Sequence, residues 1–143
     1  MEVVTTDIWG LIKDLIENNT TYTVNKEDHV WYDRKKKGTQ IILKEVSNDM
    51  EYLDDTFLHI RNKHRFMLII YAENRTDRDT AYRELKTLFT DRTKTSLYSD
   101  NVELVLFNTK MTDAVADQEI HIQGEYYHKV LELIAFYRED FTP

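Results

Sequence analysis

Five histidines, His29, His59, His64, His121 and His128, are the imidazoles available for metal or acid–base chemistry. A helical zinc pair needs i, i+4 spacing to place both rings on one face, and no two of the five have it. The absence of cysteine removes disulfides, thiolate zinc sites, iron–sulfur clusters and thiol nucleophiles together. Asp54-Asp55 and the pair Asp77 and Asp79 are carboxylates close enough to serve a metal or a proton transfer. In an extended segment, however, Asp54 and Asp55 point to opposite faces, and Asp77 and Asp79 open a helix, where acids favour the dipole. Glu84-Leu85-Lys86 matches the E-x-K fragment of metal-dependent nucleases, the one enzyme class the spacing suggests. That chemistry wants the pair on a strand with an upstream Asp, and here the triplet falls inside a helical stripe. Ser47, Ser96 and Ser99 stand in no nucleophile elbow. Three glycines, Gly10, Gly38 and Gly124, leave no glycine-rich phosphate loop. These residue types imply no catalytic residue, no metal and no cofactor, and they favour a structural protein over a nuclease or a ligand-binding module.

Charge gives the stronger signal. Nineteen Lys and Arg against 26 Asp and Glu leave a formal net charge of −7 over 143 residues. That balance argues against a surface built to grip phosphates. The charge is also segregated: residues 45–60 carry five acids (Glu45, Asp49, Glu51, Asp54, Asp55) and no Lys or Arg, and residues 99–127 carry six acids against Lys110 alone. Residues 75–94 hold six bases against four acids. The basic run Arg34–Lys37 beside Gly38 reads as a solvated turn. Opposite charges on separate faces of one subunit suit a head-to-tail ring. The candidate subunit interface is accordingly Arg75, Arg78 and Arg83 against Asp113, Asp117 and Glu119. The polar stretches Ser47–Thr56, with Asp49, Glu51, Asp54 and Asp55, and Thr112–Gly124 are candidate assembly loops, expected to be mobile alone and to order on assembly.

The elements that must position these residues follow from periodicity. Ile8, Leu11, Ile12, Leu15 and Ile16 predict a helix over about 8–17, capped by Asp7 or the threonines before it. Short extended stretches are expected over 21–33, then a strand Thr39–Val46 that is apolar on both faces. A polar link begins at Ser47, and 52–59 is expected to be extended. The alternation in Arg65–Glu73 predicts the strongest strand. Thr76-x-x-Asp79 is a helix-start pattern, with Ala81, Tyr82, Leu85, Leu88 and Phe89 as its buried stripe. Strands Val102–Phe107 and Tyr127–Arg138 close the chain around a polar hairpin or long loop at 108–124. With 41% hydrophobic residues the length suits one domain, 1–143. The expected fold class is α+β, a mainly antiparallel sheet with two helices packed on it. No apolar run is long enough for a membrane span, and no secretory leader is expected.

Three stretches carry a resemblance. They are the first helix with its aromatic Trp9, the run TQIILKEVSNDMEYLDDTFLHIRNKHRFMLIIYAEN leading into the helix at Asp77–Phe89, and the ending EYYHKVLELIAFYRED after an acidic loop. From Ile8 onward the layout resembles the tail terminator, or tail-completion, proteins of long-tailed double-stranded DNA phages. The resemblance implies a homo-oligomer, commonly a hexameric ring, in the neck of the virion and assembled in the host cytoplasm. Such a ring caps the last ring of tail-tube protein, ends polymerisation and presents a face to the head connector. DNA passes through without specific binding, and no membrane is involved. Related head–tail connector and neck adaptor proteins share much of this layout. The family contributes no catalytic residue.

Overall fold

The computed structural model describes residues 7–25, 39–97, 101–112 and 127–140. The elements are α1 (Ile8–Asn19), β1 (Val24–Asn25), β2 (Gln40–Tyr52), β3 (His59–Ala72), α2 (Arg75–Thr90), α3 (Arg92–Thr95), β4 (Ser96–Leu97), β5 (Val102–Thr112) and β6 (Tyr127–Asp140). They form an α+β fold around one curled sheet of order β1-β2-β3-β6-β5-β4. Every pairing is antiparallel except β1 on β2. Helix α1 starts where Asp7 accepts a hydrogen bond from the Gly10 backbone N–H at 3.0 Å. It runs two residues past the expected stop, because Asn19 and Thr20 side chains donate to the carbonyls of Leu15 and Ile16. Helix α2 is capped by Asn74, not Thr76: the Asn74 side chain accepts from the Asp77 N–H at 2.8 Å.

Both long helices pack on one face of the sheet. Ile8, Ile12 and Ile16 of α1, with Ala81, Leu85, Leu88 and Phe89 of α2, join Ile41, Leu43, Phe66, Leu68, Ile70, Leu131 and Leu133 in a single core. Trp9 donates its indole N–H to the Leu43 carbonyl at 2.8 Å, which fixes α1 against β2. On the opposite face Ile42, Tyr71 and Val130 are also buried.

The sheet outgrows its helices. With 16 residues α2 spans about 24 Å. With 14 residues β3 spans about 46 Å, so α2 covers only the half nearest Ala72. In the other half the sequence expectations need correction. Ser47–Tyr52 is no link but a continuation of β2, paired with residues 60–65 of β3. Residues 53–58 turn, and β3 starts at His59, six residues before the expected Arg65. β5 continues through 108–112 beside β6, the hairpin form of the polar hairpin or long loop expected there. The rest of 113–124, and the extended stretch expected at 29–32, lie outside the described residues.

The division into covered and uncovered halves makes a measurable contrast. Leu68→Ala, fully buried under α2, should cost about 3 kcal/mol in a denaturant titration. Met50→Ala, 57% exposed on the uncovered half, should cost under about 0.5 kcal/mol.

Candidate functional site

Beyond α2 the β2–β3 hairpin forms an arm with two unlike faces, while at the same height β5 and β6 keep Val102, Leu104 and Ala135 in the core. Cross-strand register places Asp49 opposite Lys63 and Glu51 opposite Arg61 on the face away from the helices. Arg61 donates from Nε to Glu51 at 2.6 Å, and Lys63 Nζ stands 3.9 Å from the other Glu51 oxygen. Opposite charges across a ladder hold two strands together without any apolar periodicity. The helix-side face of the arm is apolar at its end: Met50 is 57% exposed and Tyr52 50%, above a buried Ile60.

The turn at the arm's tip is built in the single chain. Asp54 accepts from the Thr56 hydroxyl at 2.6 Å and from its backbone N–H at 3.1 Å, and His59 Nε2 lies 3.4 Å from its other oxygen. The Thr56 hydroxyl hydrogen bond, helped by the Thr56 N–H and the charge of His59, holds the Asp54 carboxyl below the usual carboxylate range. Phe57 takes a left-handed backbone (φ 59°), and its ring meets Tyr52 edge-on at 4.9 Å. Asp49, Glu51, Asp54 and Asp55, expected in a mobile loop, therefore sit on a ladder and a hydrogen-bonded turn.

The proposed basic partners divide. Arg75 and Arg83 are exposed on α2, whereas Arg78 is only 2% exposed and donates from Nε to Asp79 at 3.0 Å. Position 78 lies one helical turn before Ala81 and two before Leu85, on the stripe that faces the sheet, so Arg78 belongs to the fold and not to a docking surface. Asp113, Asp117 and Glu119 fall outside the described residues. Glu84 and Lys86 lie on a helix, two positions apart. Glu84 neighbours Tyr22 and helps raise its phenol, and Lys86 stands 5.7 Å from the Tyr82 ring. Among the described residues no group of three His, Asp or Glu side chains is placed to hold a metal ion, and no helix is long and apolar enough to cross a membrane.

On the face away from the helices, β3, β5 and β6 form an open cavity of about 410 Å³ lined by Arg61, Asn101, Glu103, Val105, Phe136 and Arg138. Arg61 stacks over Phe136 at 5.0 Å, and its charge is met by Glu51; Glu103 is ion-paired with Arg92. Among the described residues no hydroxyl, imidazole or thiol lines it, and its one carboxylate, Glu103, is held by Arg92. No local pattern in the chain points to the cavity, since its lining comes from three strands and a turn far apart in sequence. A comparison with protein-family models finds no match, and a comparison with curated proteins finds no relative.

Two predictions come from these placements. Arg78→Glu should cost about 3 kcal/mol or more, because it leaves an unpaired carboxylate where a buried guanidinium stood, and thermal denaturation will show it as a lowered Tm. Tyr22 supplies a pH test. Burial and the neighbouring Glu84 push its phenol up to about 12 from 10.0. The neutral phenol is thus favoured in the fold, a contribution complete below pH 10 and lost as pH climbs towards 12. Denaturant midpoints across that window should fall in the parent relative to Tyr22→Phe.

Proposed function

We propose that the chain is a ring-forming structural subunit, not an enzyme. More specifically, it serves as a tail terminator of a long-tailed phage, or a closely related neck protein: the ring caps the tail tube, ends its polymerisation and meets the head connector. The observation that carries this reading is a sheet whose two unlike edges are, among the described residues, open over most of their length. Among the described residues β1 covers β2 only at Ile41 and Ile42, and β4 covers β5 only at Val102 and Glu103. A closed ring needs two different patches on each subunit, because neighbours are related by rotation and not by a two-fold axis.

Element order supports the assignment to the phage neck. A first helix carrying Trp9, a β-hairpin, a second helix and a last strand pair stand in the order on which the resemblance rests. The net charge of −7 per chain suits a bore through which DNA passes without sticking. Among the described residues the cavity and the surface charges are arranged for contact, with the acids of the arm matched by neighbouring bases.

Electron microscopy of tube assembly tests the reading. Purified protein should appear as closed rings and, added to polymerising tail-tube subunits of the same phage, should stop growth with one ring at the tube end. Tubes that grow to unrestricted length at saturating protein would refute it.

A further inference from the structure

Both long open edges of the sheet carry a bulge, and the two bulges lie at the same height. On β2 the register shifts between Glu45 and Ser47, opposite Phe66 and Arg65 of β3. On β5 it shifts between Leu106 and Asn108, opposite Leu133 and Glu132 of β6, which pair in turn with Phe66 and Met67. Each bulge presents a large apolar side chain to solvent, Val46 at 51% and Phe107 at 44%. Every other exposed large hydrophobic among the described residues belongs to the hairpin arm: Met50, Tyr52, Leu53 and Phe57. A bulge interrupts the ladder and re-aims a side chain, which blunts an edge against strand addition but leaves it able to dock through side chains.

We propose that the β2 edge of one copy docks on the β5 edge of a second copy, Val46 against Phe107, with the hairpin tip reaching the second copy's α3. A rotation about an axis running along the strands keeps height, so residues level within one subunit meet between neighbours. Charge favours the same partner. Glu45, Glu51 and Asp54 are engaged within the arm and Arg92 is ion-paired with Glu103, which leaves the exposed Asp55 at the tip and the exposed Lys94 of α3, beside β5, as the charges facing a second copy. The first outward carbonyl of each edge is already taken, Leu43 by Trp9 and Leu104 by Arg92 at 3.2 Å. The contact therefore runs through side chains, apolar at the centre and charged at the tip, and not through a continued sheet. This surface rests on the ring-subunit proposal and replaces the pairing of α2 with the 113–119 acids by a different one.

The cysteine-free chain makes the test clean. Val46→Cys and Phe107→Cys are placed singly and together, and each protein is treated with a short bis-maleimide at a concentration where the parent is oligomeric. The double variant should give a ladder on a denaturing gel that rises to the subunit number of the oligomer, whereas each single variant stays a monomer. Val46→Glu should raise the concentration for half-assembly at least tenfold in analytical ultracentrifugation, with its thermal melt unchanged. A parent that sediments as a monomer throughout overturns the contact, as does Val46→Glu assembling like the parent. Assembly lost in Val46→Glu without a ladder in the double variant overturns the pairing with Phe107. Tube capping is read separately: tubes capped by a protein that never cross-links remove this contact and keep the proposed function. Linked rings that leave tube length unchanged do the reverse.

Discussion

The sheet is about twice as long as the helices that cover it, and most of the molecule's surface character follows from that mismatch. Where α1 and α2 lie on the sheet, stability comes from apolar burial, with Phe66, Leu68, Ile70 and Leu131 shut off from water. Beyond the reach of α2 the hairpin of β2 and β3 continues with no long helix over it among the described residues. There the ladder hydrogen bonds are supplemented by charges, Glu51 with Arg61 and Lys63 on one face, and by the Asp54–Thr56 turn at the end. Exposed pairs of this kind contribute little each, roughly 0–1 kcal/mol, so the arm is held by many small terms and by the third strand, β6, that runs beside it.

That distribution of forces explains which parts of the fold were legible in the sequence. Helices α1 and α2 and the cores of β2, β3, β5 and β6 announce themselves because burial imposes a period, 3.6 or 2, on the apolar residues. Ser47–Glu51 carries no such period. Its strand character comes from partners 10 to 18 residues away, Lys63 and Arg61 among them, and a cross-strand charge ladder cannot be seen from one strand alone. The same blindness made Arg78 look like a surface base. Its position on the α2 stripe, one turn before Ala81, was the available signal, and the charge of the side chain hid it.

Arg78 also shows why charge segregation along a chain is an imperfect guide to surfaces. A count over residues 75–94 weighs buried and exposed guanidiniums equally, although only the exposed ones reach a partner. Once the fold removes Arg78, the exposed bases divide between α2, with Arg75 and Arg83, and α3, with Arg92 and Lys94. Among the described residues α3 touches both β4 and β5, the strands at one edge of the sheet. The acids divide in the same manner. Glu51 and Asp54 are engaged inside the arm, which assigns them to holding its shape.

An open edge is a hazard in a protein meant to stay a single chain, and natural sheets blunt it with short cover strands, charges and bulges. Here all three devices occur, but each is incomplete. The cover strands β1 and β4 span two residues apiece, the charges sit mainly on the faces of the arm, and each bulge exposes an apolar side chain at the edge it interrupts. A sheet protected only against folding into stacks would place Lys or Glu at positions 46 and 107. The bulges at these positions interrupt the ladder while leaving an apolar side chain exposed on each side. Incomplete blunting of this kind limits association to neighbours that present the right side chain at the right height, which is the property a ring of defined size requires and a fibre does not.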